Sequence, residues 1–87
     1  MDQPPYALQA RLLAEHLSRL DRSAAWVAAR AGLHPGTFAR YLSGERAIPV
    51  TGDGLPSPLV RIALGLALTP AETAELARAA GVDWVAP

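Results

Sequence analysis

SAAWVAARAGLHPGTFARYLSGERAIP, residues 23–49, is the stretch on which the reading of this chain turns. Ser23 is placed to cap a short helix over 24–31 by accepting a hydrogen bond from an amide that the first turn leaves without a partner. Gly32 can adopt the left-handed conformation that ends such a helix. His34 and Pro35 then open the next helix, since proline at the first helical position sacrifices no hydrogen bond and has its φ already set. Gly44 closes it. Val27, Ala28 and Ala31 give the first of these helices a narrow inner face, and Phe38, Tyr41 and Leu42 share a face on the second at i, i+3 and i+4.

Upstream, Leu8, Leu12, Leu13, Leu17 and Leu20 step by four, one, four and three, drawing one apolar stripe on a helix. Downstream, Glu45 to Pro56 carries Pro49, Gly52, Gly54 and Pro56, a composition that breaks helices and reads as a surface loop. Ser57-Pro58 restarts a helix, and Thr69-Pro70-Ala71-Glu72 reads as a capping box with proline first. No sustained period-2 alternation marks a strand. The expectation is one all-α domain over 1–87. Its helices run about 6–20, 24–31, 35–43, 58–68 and 70–80, with a loop at 44–57 and a tail at 82–87.

Eighty-seven residues, 51% hydrophobic, suffice for one modest core. With no cysteine there is neither a disulfide nor a thiolate ligand, so packing alone must hold it. The start of the chain lacks a basic stretch followed by an apolar run, and Leu59 to Leu68 is about half the length of a spanning helix. These features fit a cytoplasmic protein and no membrane. Formal charge is zero, but it is distributed unevenly. Residues 1–49 hold six arginines against four acids, and the remainder two arginines against four acids, so an anion-facing surface is expected in the first half. Every cation is arginine, which fits either phosphate recognition or a G+C-rich coding bias.

A short helix, a tight turn and a second helix with an apolar inner face make a helix-turn-helix, which can lay its second helix in the major groove. Residues 23–49 resemble the XRE-type (phage-repressor-like, Cro-type) family. Ala28, Ala31 and Gly32 match its Ala-x-x-Ala-Gly before the turn; Gly44, Arg46 and Pro49 match its Gly-x-Arg-x-x-Pro after the third helix. LALTPAETAELARAAG is similar to the close of such domains. The resemblance covers roughly residues 8–81. It implies a five-helix lambda-repressor-like fold and a sequence-specific regulator of transcription, of repressor type, that binds double-stranded DNA. Three features depart from the pattern. Ala24 stands where many members carry a glutamine that touches the DNA backbone; His34, Pro35, Gly36 and Thr37 open the third helix; and residues 50–56 lengthen the following loop.

With Phe38, Tyr41 and Leu42 inward, the third helix turns Gly36, Ala39, Arg40 and Ser43 outward, with Thr37 on the flank. Arg40 reads as a bidentate partner for guanine, a phosphate clamp or a solvated charge; Ala39 as a contact for a thymine methyl; Gly36 as room for close approach. His34 reads as a base contact or a helix cap, and Thr37 as a phosphate ligand or a partner of its own backbone. Arg22, Arg30 and Arg46 stand at helix ends where phosphates would run, or pair with Asp21 or Glu45. Trp26 reads as a partly buried core aromatic.

The fourth helix is apolar nearly all round, since Val60, Leu64, Ala67 and Leu68 cover much of what Leu59, Ile62, Ala63 and Leu66 leave. Two-fold symmetry suits palindromic DNA, so a homodimer through Val60, Leu64, Leu68 and Trp84 is expected. His16 and His34 have no metal-ligand partner at helical spacing, and no nucleophile elbow, phosphate-cradling loop or carboxylate pair appears. Catalysis, a metal and a cofactor are therefore not expected. A second reading keeps the fold as a protein-protein interaction or dimerisation module without DNA binding. It draws on the neutral charge, Ala24 and the apolar fourth helix.

Overall fold

Local signals start the helices. In the computed structural model, which describes residues 3–49 and 57–81, the elements are α1 (Ala7–Leu20), α2 (Ala24–Arg30), α3 (Pro35–Leu42), α4 (Pro58–Gly65) and α5 (Pro70–Ala79). The chain is all-helical, with no strand among the described residues. The expected residue 50–56 insertion and 82–87 tail, Trp84 included, lie outside them. Ser23 Oγ accepts from Trp26 N at 3.1 Å, His34 Nδ1 from Gly36 N at 3.0 Å, Ser57 Oγ from Val60 N at 3.3 Å and Thr69 Oγ1 from Glu72 N at 3.1 Å. Each satisfies an amide that the first helical turn cannot. Proline opens α3, α4 and α5. The capping box is complete, for Glu72 Oε1 accepts from Thr69 N at 2.9 Å.

The ends are less uniform. Leu33 N donates to Ala28 O at 2.8 Å, closing α2 with Gly32 at φ +67°. Leu68 N donates to Ala63 O at 2.9 Å and closes α4 in the same way, but here Ala67 takes the left-handed position at φ +55°. This is why α4 stops at Gly65, three residues before the end expected from its composition.

The helices close a ring: α1 packs on α3 and α5, α2 on α3 and α4, and α4 on α5. Leu13, Val27, Phe38, Leu59, Ile62 and Leu76 fill its centre. Ile48, only 1% exposed, joins them and corrects the reading of 45–56 as surface throughout. Burying a side chain of this size stabilises by roughly 1.5–3 kcal/mol, enough to bind the segment after α3 to the core. Its neighbour Pro49 accepts from Leu59 N at 3.1 Å. On α1, Leu8 is 48% exposed; Gln9, Leu12, Leu13 and His16 are buried, and Leu17 and Leu20 pack against the core as expected. No helix among the described residues is long and apolar enough to cross a membrane.

Candidate nucleic-acid interface

α3 is propped from beneath. Phe38 and Tyr41 are buried against the core, and Gly36, Ala39, Arg40 and Ser43 face solvent, with Thr37 half-buried at the flank. The outward row has the membership that the helical wheel requires. Arg40 has no carboxylate partner among the described residues. Ser43 Oγ donates to Arg40 O at 3.1 Å and accepts from Glu45 N at 3.4 Å, so its hydroxyl finishes the helix end.

His34 serves as the cap. Its Nδ1 accepts from Gly36 N, which leaves Nε2 as the ring nitrogen carrying the proton in the neutral tautomer. A Cβ at Gly36 would stand 3.2 Å from that Nδ1, so the small residue leaves room for the capping ring. Arg46 is exposed, and its backbone is held: its carbonyl accepts from Gln9 Nε2 at 2.9 Å.

Gln9 is the residue that sequence reasoning missed here. Fully buried, it donates through Nε2 to Tyr41 O at 3.0 Å and to Arg46 O, while Oε1 accepts from Ile48 N at 3.0 Å. One side chain thus ties α1 to the end of α3 and to the segment after it. The available signal was its i, i+3, i+4, i+7 spacing with Leu12, Leu13 and His16. Gly44 makes a second tie. Tyr6 N donates to its carbonyl at 2.9 Å, and a Cβ there would come within 2.8 Å of Tyr6 O.

Arg22 and Arg30, both exposed, do not pair with Asp21 or Glu45. Their guanidinium carbons lie 4.8 and 5.2 Å from the centre of the Trp26 ring. Trp26 is half-buried and packs against the core, so it is a core aromatic and an arginine platform at once. Arg61, counted by sequence with the acidic half, lies with Nη1 3.3 Å from where a Gly32 side chain would begin, at the α2–α3 turn.

Away from this surface, α1 and α5 are joined by Arg19 Nη1 donating to Glu72 Oε2 at 2.7 Å. Arg19 Nη2 lies 3.0 Å from Nδ1 of the buried His16. The Arg19 guanidinium, then the Thr69 amide, hold the Glu72 carboxyl down at about 2. No three His, Asp or Glu side chains gather as a metal site would require, among the described residues. On α4, Leu64 is 72% exposed and Val60 half-buried, while Leu68, beyond the helix end, is half-buried against the core. Comparison with family models, with curated proteins and with solved structures finds no match for this chain.

Proposed function

We propose that this chain is a sequence-specific, double-stranded DNA-binding regulator of transcription, of the repressor type. In this reading it has a lambda-repressor-like fold of the XRE helix-turn-helix family, acts in the cytoplasm and catalyses no reaction. One observation carries it: the outer face of α3 holds Gly36, Ala39, Arg40 and Ser43 in solvent, with an unpaired guanidinium among small side chains. Such a face enters the major groove without a steric barrier. There Arg40 donates two hydrogen bonds to the O6 and N7 of a guanine, and Ala39 meets a thymine methyl. Thr37, Ser43 and the Nε2 edge of His34 lie at the margins of that contact, while Arg22, Arg30 and Arg46 meet phosphates and set the register. Occupying the duplex then excludes other proteins from it.

The exposed Leu64, with the half-exposed Val60 and Leu68, supports a homodimer that presents two such helices to a palindromic site. The same leucine favours the second reading, in which the domain binds a protein and not DNA. Selection from random duplexes, followed by titration of Arg40→Ala, separates them. The substitution should cost about 1–3 kcal/mol on the selected duplex and relax preference at one base pair. Affinity should also fall steeply as salt rises. A selection that enriches no sequence, or an Arg40→Ala variant with undiminished affinity and preference, would sink the DNA reading.

A further inference from the structure

Two cations of the α2 segment converge on one aromatic ring. Arg22 precedes the cap Ser23, Arg30 is the last residue of α2, and Trp26 stands four residues from each. Side chains four residues apart on a helix are stacked neighbours, which brings Arg30 to the indole, and Arg22 reaches the same ring from the segment before the cap. Because each guanidinium carbon is about 5 Å from the same ring centre, the two are within about 10 Å of one another. Like charges at that separation repel, and neither has a carboxylate partner among the described residues. The negative π-surface of the indole holds them there. Exposed, convergent and unpaired, they make a seat for an anion.

Stacking leaves this seat usable. A guanidinium meets an aromatic ring with its plane and meets phosphate with its edge, so its donors in the plane stay free while the ring fixes their direction. Trp26 is itself fixed, because it packs on the core. Ordering two long side chains is then largely accomplished before any ligand arrives, which is how preorganised groups gain affinity. In the docking mode proposed above, α2 is the helix that crosses the sugar-phosphate backbone.

We infer that Arg22, Trp26 and Arg30 form a phosphate clamp: Trp26 is a positioning residue that aims two guanidiniums at the backbone of one DNA strand. This inference rests on the DNA reading. It assigns to Trp26 a role toward ligand in addition to its place in the core.

The test is a thermodynamic cycle on the full chain with a random-sequence duplex as probe, since phosphate contacts do not depend on base sequence. Replacing both arginines with alanine (R22A/R30A) should reduce the slope of log affinity against log salt by about 1.8. Trp26→Leu, which keeps both charges, should leave that slope unchanged yet weaken binding about 3- to 10-fold. Trp26→Phe should recover most of that loss. In the R22A/R30A background, Trp26→Leu should have no further effect. Should Trp26→Leu fail to fold, Trp26→Phe takes its place in the cycle with a smaller expected loss. If the wild type binds while R22A/R30A leaves the slope unaltered, the clamp is wrong and the DNA reading stands. Equal losses from the Trp26 substitution in both backgrounds would make Trp26 structural only and overturn its positioning role. A wild type without salt-dependent duplex binding removes the DNA reading and the clamp together.

Discussion

Replacing Gln9 with leucine should cost about 3 kcal/mol of folding stability, and the structure apportions that cost. The substitution preserves approximate size and buries a more apolar group, so no large cavity forms. What is lost is three hydrogen bonds. They are not equivalent. Tyr41 O keeps a second partner in Gly44 N at 3.2 Å, and Arg46 O is part-buried, so each should cost about 0.5–1.5 kcal/mol. Ile48 N has no such substitute. Its hydrogen bond is buried, and an unpartnered amide there costs about 1–3 kcal/mol. Because small domains have roughly 5–15 kcal/mol in all, the variant should fold, with a clearly lower urea midpoint and an unchanged slope. Gln9→Glu supplies the contrast. It keeps an acceptor for Ile48 N but turns a second oxygen toward two carbonyls and buries a charge. At neutral pH it should be less stable than Gln9→Leu. Burial raises the pKa of such a carboxyl in the folded state, so the ionisation part of the penalty should ease as pH falls and vanish below the unfolded value of about 4.3, leaving the loss of one hydrogen bond because a neutral carboxyl has a single O–H for two carbonyls. The account is refuted if Gln9→Leu costs less than about 1 kcal/mol, or if Gln9→Glu matches the wild type at neutral pH.

Glu72 should impose an acid limb on stability. Its folded pKa is depressed, from 4.5 to about 2, so its contribution is complete above 4.5 and lost as pH falls through 2. Thermal midpoints of wild type and Glu72→Gln should therefore converge across that window, and a constant gap would show that the Arg19 pair is not the cause. Gly44→Ala should destabilise by about 2–4 kcal/mol in chemical denaturation, because the new Cβ meets Tyr6 backbone and φ is +79°. A loss under 1 kcal/mol would contradict that geometry. Ala67→Gly should do the reverse, adding about 0.5–1 kcal/mol by relieving the left-handed alanine after α4. A lowered thermal midpoint would mean that no such strain exists.

What could be read from the sequence follows from the range of the interaction that decides it. Helix starts depend on a side chain and an amide two or three residues apart, so Ser23, His34, Ser57 and Thr69 marked them with nothing else known. Gly32 marked an end for the same reason, since glycine alone enters the left-handed region freely. Ala67 enters it because Leu68 must reach Ala63 O while α4 packs on α2 and α5, and no local residue type announces that. The stripe of α1 was legible in part. Leu12, Leu13, Leu17 and Leu20 lie in or against the core, but Leu8 is exposed, and the other buried positions of the inner face, Gln9 and His16, are polar. Gln9 belongs inside only once Tyr41, Arg46 and Ile48 are brought to it, contacts made across at least 32 residues of chain.

The candidate interface divides along the same line. The outward row of α3 is a consequence of helical geometry and of Phe38 and Tyr41 facing in, so it was legible in full. The convergence of Arg22 and Arg30 on Trp26 was legible as spacing but not as energy. Asp21 is adjacent to Arg22 in sequence, and a surface ion pair with it or with Glu45 was the cheaper expectation. The choice falls to the ring because Trp26 is anchored on the core and so is already ordered when the arginines reach it, whereas an exposed carboxylate would have to be ordered too. Two charges left unpaired in this way, with a third unpaired on α3, leave exposed guanidiniums on a chain whose formal charge is zero. A neutral total therefore does not weigh against an anionic partner here, since the field that such a partner meets is set by exposed, unpaired charge and not by the sum over the sequence.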